Sequence, residues 1–306
     1  MVRAIAEDSA LLPGVELLST RDSRLTTLHP PGCQVSLVAS EVEHRTAIEQ
    51  LATSSDWTLL IAPETGGALH QCAQFVELAG GRLLSPESRV VSIAADKQKT
   101  AELLACGGVS VPRGVVITSS SAARQADLRF PLVMKPLDGC GSEGVRLLRG
   151  LSELEKYAFT GPLRLEECVT GLAASVSVLC GPTGNAIQPA CQQILSNDGC
   201  FEYLGGRLPL ELALNRRAQA LAARAVTCLG QVRGYIGVDL VLGRAADGSE
   251  DAVIEINPRL TTSYIGLRAA SRTNLASAML AIAEGRSADL SFGNEPIEFA
   301  ADGTIR

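Results

Sequence analysis

Residues Asp251–Leu267 read D-A-V-I-E-I-N-P-R-L-T-T-S-Y-I-G-L, and the reading of this stretch decides the fold. Ala252–Ile256 has the apolar, β-branched character of a buried strand. Side chains two apart on a strand share a face, so Glu255 and Asn257 point the same way at its end. Pro258 has no N–H to donate and stops the ladder, and Arg259 follows on the turn. A carboxylate, an amide oxygen and a guanidinium within five residues suit Mg²⁺ bridging phosphates, with an arginine for further negative charge. The alternative is a polar strand end leaving the core.

Tyr235–Leu242 reads Y-I-G-V-D-L-V-L, a second strand in which Asp239 interrupts an apolar run. A carboxylate in such a sheet is costly unless it neutralises, pairs or meets a metal. The short polar turn Arg244–Glu250 between the two strands is a hairpin signal. Pairing would bring Asp239 to Glu255 and Asn257, three oxygen ligands on adjacent strands. The alternative for Asp239 is an edge or bulge residue facing water.

The chain has 306 residues, enough for two or three domains, with 46% hydrophobic and 20% charged residues. Its 4% aromatic content beside abundant small aliphatic residues favours α/β packing. A net charge of −6 argues against nucleic-acid binding through a basic surface but leaves room for a local phosphate pocket. Nine cysteines, none in C-x-x-C spacing, suggest neither a disulfide framework nor zinc. His29, His44 and His70 stand apart from other candidate ligands and read as structural or exposed. No signal peptide, membrane-spanning run or repeat is visible, so a cytoplasmic location without membrane contact is the expectation.

Residues 1–95 read as a small α/β domain, beginning in a helix that Pro13-Gly14 ends. Strands are expected at Val15–Ser19, Gln34–Ala39 and Trp57–Ala62, and a helix at Glu41–Ala52. The loop Pro63–Gly67 follows a strand end, where open α/β sheets bind ligands; Glu64 there is a substrate-site candidate or a helix-start acid. Such a domain normally starts with a strand, so a trimmed N-terminus is the corresponding expectation.

A helix from Asp96-Lys97 to Cys106 precedes a strand within 109–118 and another at Phe130–Pro136 that carries Lys135. The loop D-G-C-G-S-E-G (138–144) and the strand Val145–Arg149 come next. A glycine-rich turn lets backbone N–H groups approach phosphates, although no helix follows as in a P-loop and a plain hairpin reads equally well. A helix at Ser152–Phe159, a strand at 162–169 and a strand after Gly171 make a hinge whose backbone could meet an adenine edge. Ile187–Leu195 reads as one strand with paired glutamines, and 196–209 as a polar loop. Leu210–Leu229 reads as an amphipathic helix with Arg216, Arg217 and Arg224 on its polar side. Asn274–Glu284 is the last clear helix, followed by an edge strand and a tail.

The run E-I-N-P-R-L-T-T-S-Y, with D-K, V-M-K-P, D-G-C-G-S-E-G and G-V-D-L in this order, resembles the ATP-grasp superfamily over roughly residues 85–285. The A-P-E-T-G-G loop and the D-K-x-x-T stretch look most like its carboxylate–amine ligases, a group that includes tyramine–L-glutamate ligase. The resemblance implies an α/β (α+β) ATP-grasp fold in three parts: a Rossmann-like pre-ATP-grasp domain (1–95), a lid subdomain (96–169) and a C-terminal domain with the metal site (170–306). It implies ATP with Mg²⁺, or Mn²⁺ in its place, an amino acid and an amine as substrates, and a homodimer. Position by position, Lys97 and Lys135 would hold phosphates under the loop carrying Gly139, Gly141, Ser142 and Gly144. Glu166, Glu167 and Val169 would form the adenine hinge. Asp239, Glu255 and Asn257 would be metal ligands, and Arg259 would stabilise the acyl phosphate or the transferring phosphoryl group. Catalysis would then rest on Arg259 and Lys135. One departure stands out: Ala173 occupies the place of a ribose-binding acid in many relatives.

Overall fold

The computed structural model describes residues 1–25, 32–156, 159 and 161–306. His29 and part of the helix expected at Ser152–Phe159 lie outside the described residues. The first part runs α1 (Val2–Ala10), β1 (Leu17–Asp22), β2 (Cys33–Val38) and α2 (Glu41–Ser54). A short turn at Thr65–Gly67 leads into α3 (Ala68–Leu78), and α4 (Ser88–Ala94) and α5 (Lys97–Cys106) follow. Ser40 caps α2 by accepting from the Glu43 N–H, and Asp96 caps α5 by accepting from Gln98 and Lys99. β1 and β2 pair in parallel. The strand expected at Trp57–Ala62 does not form: a parallel bridge from Thr58 to Leu83 is the pairing seen there among the described residues. Leu60 is buried beside Leu69, Val76 and Leu83, and Trp57, Leu59, Ile61 and Ala62 are partly buried.

The part expected as the lid contains β3 (Gly114–Ile117), α6 (Ser120–Gln125), β4 (Leu132–Pro136), β5 (Arg146–Leu148), α7 (Leu151–Leu154) and β6 (Leu163–Glu167). Its four strands lie in the order β3-β6-β4-β5, all antiparallel. Ile117, Leu132, Met134, Leu148, Leu154 and Leu165 fill its small core.

The largest sheet comprises β7 (Leu172–Gly181), β8 (Gly184–Ile187), β9 (Cys191–Leu195), β10 (Tyr203–Leu208), then, after α8 (Leu212–Cys228), β11 (Gly234–Leu242) and β12 (Ala252–Asn257). Helices α9 (Ser263–Ala270) and α10 (Leu275–Ala283) precede its last strand, β13 (Ile297–Ala300). These seven strands run β12-β11-β7-β9-β10-β13, with β8 beside β7. The expected single strand Ile187–Leu195 is two, because Gln188–Ala190 leave the ladder between β8 and β9. The expected loop 196–209 contains β10, which Tyr203 and Leu208 anchor through apolar packing despite Gly205 and Gly206. Gly206 is required there, since a Cβ would meet the Phe299 ring at 2.5 Å.

One face of this sheet packs on α8, which buries Ala218, Leu221, Ala222, Ala225 and Val226. Arg217 is not simply on the polar side: its guanidinium reaches Asp251 and the Gly243 carbonyl at the hairpin's base. The opposite face packs on α9 and α10, and Ala4 and Ile5 of α1 join that core. The first helix therefore belongs physically to the C-terminal layer. Asp8 fixes it there, accepting from Tyr264 Oη and from Arg268 Nε at 2.7 Å.

Candidate active site

The β11–β12 hairpin forms as expected, and its register sets Asp239 opposite Glu255 and Gly237 opposite Asn257. A bulge follows Asp239, which re-aims side chains at the ladder's end. Asn257 Nδ2 and Gln193 Nε2 each donate to Asp239 at 3.0 Å. Burial, then the neighbouring Glu255 carboxylate, push the Asp239 carboxyl up to about 7. Two carboxylates and an amide at the end of one hairpin are a hard-oxygen donor set. A cation there would reverse the penalty that raises Asp239, so these residues fit Mg²⁺. Among the described residues no three His, Cys, Asp or Glu side chains converge; the set is two acids plus the amide.

Lys97 begins α5 and is nearly buried, with Nζ 3.1 Å from Glu255 Oε1 and 2.9 Å from the Gly139 carbonyl. It joins Glu255 to the glycine-rich loop. In that loop Gly139, Gly141, Ser142 and Gly144 all have positive φ, from 63° to 120°. Successive residues of this kind turn N–H groups inward and make an anion-binding concavity. Ser142 Oγ donates to the Phe201 carbonyl at 2.7 Å, and Phe201 also has positive φ.

Lys135, at the end of β4, sets its Nζ 2.6 Å from Glu166 Oε1. Arg164 holds the other oxygen of Glu166 at 2.7 Å, and all three side chains are buried. The Glu166 carboxylate is therefore committed, and its backbone lies between β3 and β4. The N–H groups of Glu167 and Cys168 are bonded to Arg113 and Pro131 carbonyls. The expected hinge positions Glu167 and Val169 lie at and just beyond the end of β6, an interior strand of its sheet, before Gly171. Ala173 pairs with Val241 within the ladder.

Arg259 is held from outside its own domain. Its Nε donates to Glu64 Oε1 and Oε2 at 2.9 and 3.0 Å, and its Nη1 to the Leu260 carbonyl at 3.3 Å. Glu64 is buried; desolvation pushes its carboxyl up, against the pull of Arg259. The following turn reaches the glycine-rich loop, where the Gly66 N–H donates to Asp138 Oδ2 at 3.1 Å.

The structure thus brings together Lys97, Asp239, Glu255, Asn257 and the loop 138–144, with Lys135 donating to the Ile254 carbonyl of β12 at 3.5 Å. Sequence reasoning missed Gln193, Arg164 and the partner of Glu64. The paired glutamines flagged Gln193 only as polar, since nothing local says that β9 lies within reach of Asp239.

Comparison with known proteins gives the family. The ATP-grasp domain matches residues 94–263 and the pre ATP-grasp 3 domain residues 15–91. Tyramine–L-glutamate ligase of Methanocaldococcus fervens is 28% identical over 248 residues, 80% of this chain and 71% of that protein. D-alanine–D-alanine ligase of Hydrogenovibrio crunogenus is 27% identical over 304 residues, 91% of this chain and 90% of that protein. The structure of L-amino acid ligase from Bacillus licheniformis superposes with a TM-score of 0.73 at 20% identity, covering 91% of this chain and 70% of that one, a likeness of fold. With the family's domain spanning more than half of its length, the chain belongs to the ATP-grasp family, as an enzyme that ligates carbon to nitrogen.

Proposed function

We propose that this protein activates a substrate carboxylate with ATP and joins it to an amine, with L-glutamate and tyramine as the substrate pair and methanofuran-type cofactor synthesis as its setting. The carboxylate oxygen attacks the γ-phosphorus as the bond to ADP breaks, leaving an acyl phosphate. The amine nitrogen then attacks the acyl carbon, phosphate departs, and the amine loses a proton to solvent or phosphate. Asp239, Glu255 and Asn257 would hold Mg²⁺, which supplies charge neutralisation at the phosphates. Lys97 and Lys135 would bind phosphate oxygens beneath the loop carrying Gly139, Gly141, Ser142 and Gly144. Arg259 would meet charge developing on the transferring group. Glu167 and Val169 would border the adenine, with Glu166 holding Lys135 in place. The loop 138–144 would exclude water that otherwise hydrolyses the acyl phosphate.

The observation that carries this reading is the convergence of Asp239, Glu255 and Asn257 with Lys97 at the end of one hairpin. The pair glutamate and tyramine rests on the tyramine–L-glutamate ligases of Methanocaldococcus fervens and Methanocaldococcus jannaschii, at 28% and 26% identity. A second amino acid as the amine is the other reading, favoured by the D-alanine–D-alanine ligase match that spans nearly both chains. The test is ADP release by the purified protein with Mg²⁺–ATP across a panel of acids and amines, with products weighed by mass spectrometry. Release that needs glutamate and tyramine together, yielding their amide, is expected. Release with two amino acids moves the substrate assignment, and a stable phosphorylated acid without any amine requirement refutes the ligase reading.

A further inference from the structure

Glu64 belongs to the first domain, yet both its carboxylate oxygens accept from the Nε of Arg259, which belongs to the turn after β12. The two residues are 195 positions apart, so no local preference produces this contact. A buried carboxylate and a guanidinium taken from water need each other. Here the pairing is also geometrically selective. It occupies the Nε side of the guanidinium, while Nη1 reaches its neighbour's carbonyl and Nη2 makes no hydrogen bond among the described residues.

The turn that carries Glu64 is itself fixed. Gly66 and Gly67 have φ of 63° and 73°, a conformation that favours glycine. The Gly66 N–H is bonded to Asp138 of the glycine-rich loop at 3.1 Å, and Thr65 Oγ1 lies 4.0 Å from Cys140 Sγ. The Pro63 carbonyl accepts from the Leu69 N–H at the start of α3. One turn is therefore tied to the lid loop through its backbone and to Arg259 through its acid.

We infer that Glu64 is a positioning residue for the ligation step: it fixes the Arg259 guanidinium by its Nε edge and leaves the Nη2 edge for the reacting phosphoryl or acyl group. This rests on the role given to Arg259 above. Orientation matters because Arg presents its donors in a rigid planar fork, and the side chain otherwise rotates freely about its stem. The contact places that fork beside Asp239, whose carboxyl feels the Arg259 charge. It does so from a domain that contributes neither a metal ligand nor the glycine-rich loop. Removing the carboxylate would leave the fork charged, present and misdirected.

The test compares wild type with Glu64→Gln and Glu64→Asp, first in a measurement that needs no turnover. Arginine side-chain ¹H–¹⁵N spectra resolve the Nε–H group, and the Arg259 signal is the one lost in Arg259→Lys. In wild type this signal is expected shifted by its carboxylate partner and slow to exchange; in Glu64→Gln it moves towards the free-arginine position. Under turnover with the acid and amine that wild type uses, Glu64→Gln should lower kcat about 10- to 100-fold. The dissociation constant for Mg²⁺–ATP should stay within about twofold, and Glu64→Asp should recover part of kcat. In the double variant Glu64→Gln/Arg259→Lys, kcat should fall no further than in Arg259→Lys alone. An unmoved Nε–H signal, or an unchanged or faster kcat in Glu64→Gln, overturns the inference. A faster variant would mean that Glu64 restrains Arg259. Should Glu64→Gln not fold, Glu64→Asp alone decides: it must shift the signal and lower kcat. A wild type that releases no ADP with any pair, while its Nε–H signal still responds to Glu64, counts against the ligase reading and not against the contact.

Discussion

Asp239 sits in an apolar sheet with two amide donors on its oxygens and a second carboxylate across the ladder. Its carboxyl titrates near 7 in the folded protein against an ordinary value of 3.8, with burial the main cause and Glu255 the second. The folded state therefore keeps this proton where the unfolded chain has lost it. The resulting stability is fully present below pH 3.8 and is lost as pH rises through about 7, a span worth about 4 kcal/mol. Metal-free protein should thus melt at progressively lower temperature between these pH values, and Asp239→Asn should flatten that limb. Mg²⁺ with ADP should restore stability mainly at neutral pH, because the metal replaces the proton. An unaltered pH slope in Asp239→Asn would place the titration elsewhere. Arg259 makes a different prediction, since its proposed role lies beside the proposed metal ligands and not among them. Arg259→Ala should reduce kcat by about 10²- to 10³-fold. Mg²⁺–ATP should still bind within a few-fold of wild type, as equilibrium titration would read. Equal loss of turnover and binding would make it a ground-state phosphate contact.

Between elements, the connection from β6 to β7 rests on two features of different origin. The first is the buried row Lys135–Glu166–Arg164, which lies in the lid and reaches α5 through Gln98. Glu166→Ala would leave two buried cations without their acid and should cost about 3–5 kcal/mol in urea unfolding, with or without nucleotide. A cost that appears only with nucleotide would make Glu166 an adenine contact instead. The second is Gly171, where a Cβ would stand 2.2 Å from the Leu242 carbonyl. Backbone cannot yield as a side chain can, so Gly171→Ala should cost about 1–3 kcal/mol, measured in the same unfolding experiment, by prising β7 from β11. Gly150→Ala, where a Cβ meets open space, should be mild by comparison. These elements also mark how much the sequence discloses. The strand carrying Lys135, the glycine-rich turn and the pairing of β11 with β12 are local patterns, apolar runs broken by proline or glycine, and they read directly; the register of that pairing, with its bulge after Asp239, does not. The strand expected at Trp57–Ala62 misled because apolar, β-branched content reports burial, while a ladder needs a neighbour. β10 was hidden because its glycines weaken the strand signal and are there for close approach to Phe299, a contact made across the sheet. Gln193, Arg164 and the Glu64–Arg259 pair depend on tertiary placement and leave no trace in spacing.

At the scale of the whole molecule, the first domain and the C-terminal domain share a core and several buried charges. Ala4, Ile5 and Leu84 pack with Tyr235, Tyr264 and Met279; Asp8 is bonded to Tyr264 and Arg268; and Glu64 holds Arg259. The boundary near residue 95 is therefore a boundary in the chain and not a gap in the packing, for Val90 and Ala94 of α4, which lies against β12, belong to the same buried cluster as α8 and β11. The chain's single tryptophan stands on this seam. Arg82 of the first domain lies 4.0 Å from the Trp57 ring centroid, and Arg233, just before β11, lies 5.5 Å away. Of these two guanidinium contacts on one indole, each worth about 0.5–2 kcal/mol, that of Arg233 spans the seam and is lost if the domains part, whereas Arg82 and Trp57 belong to the same domain. Trp57 fluorescence is thus a local gauge of the seam, whereas far-UV circular dichroism reports every helix and sheet. If the shared core makes the domains one cooperative unit, the two signals should give coincident urea transitions. Asp8→Ala should move both midpoints to lower urea together, because it removes a buried acceptor from two donors. A tryptophan transition that precedes the loss of circular dichroism would show the seam opening first. Arg259 would then lose Glu64 in a partly open state, and orientation of that arginine would become a property of domain closure instead of a fixed feature of the fold.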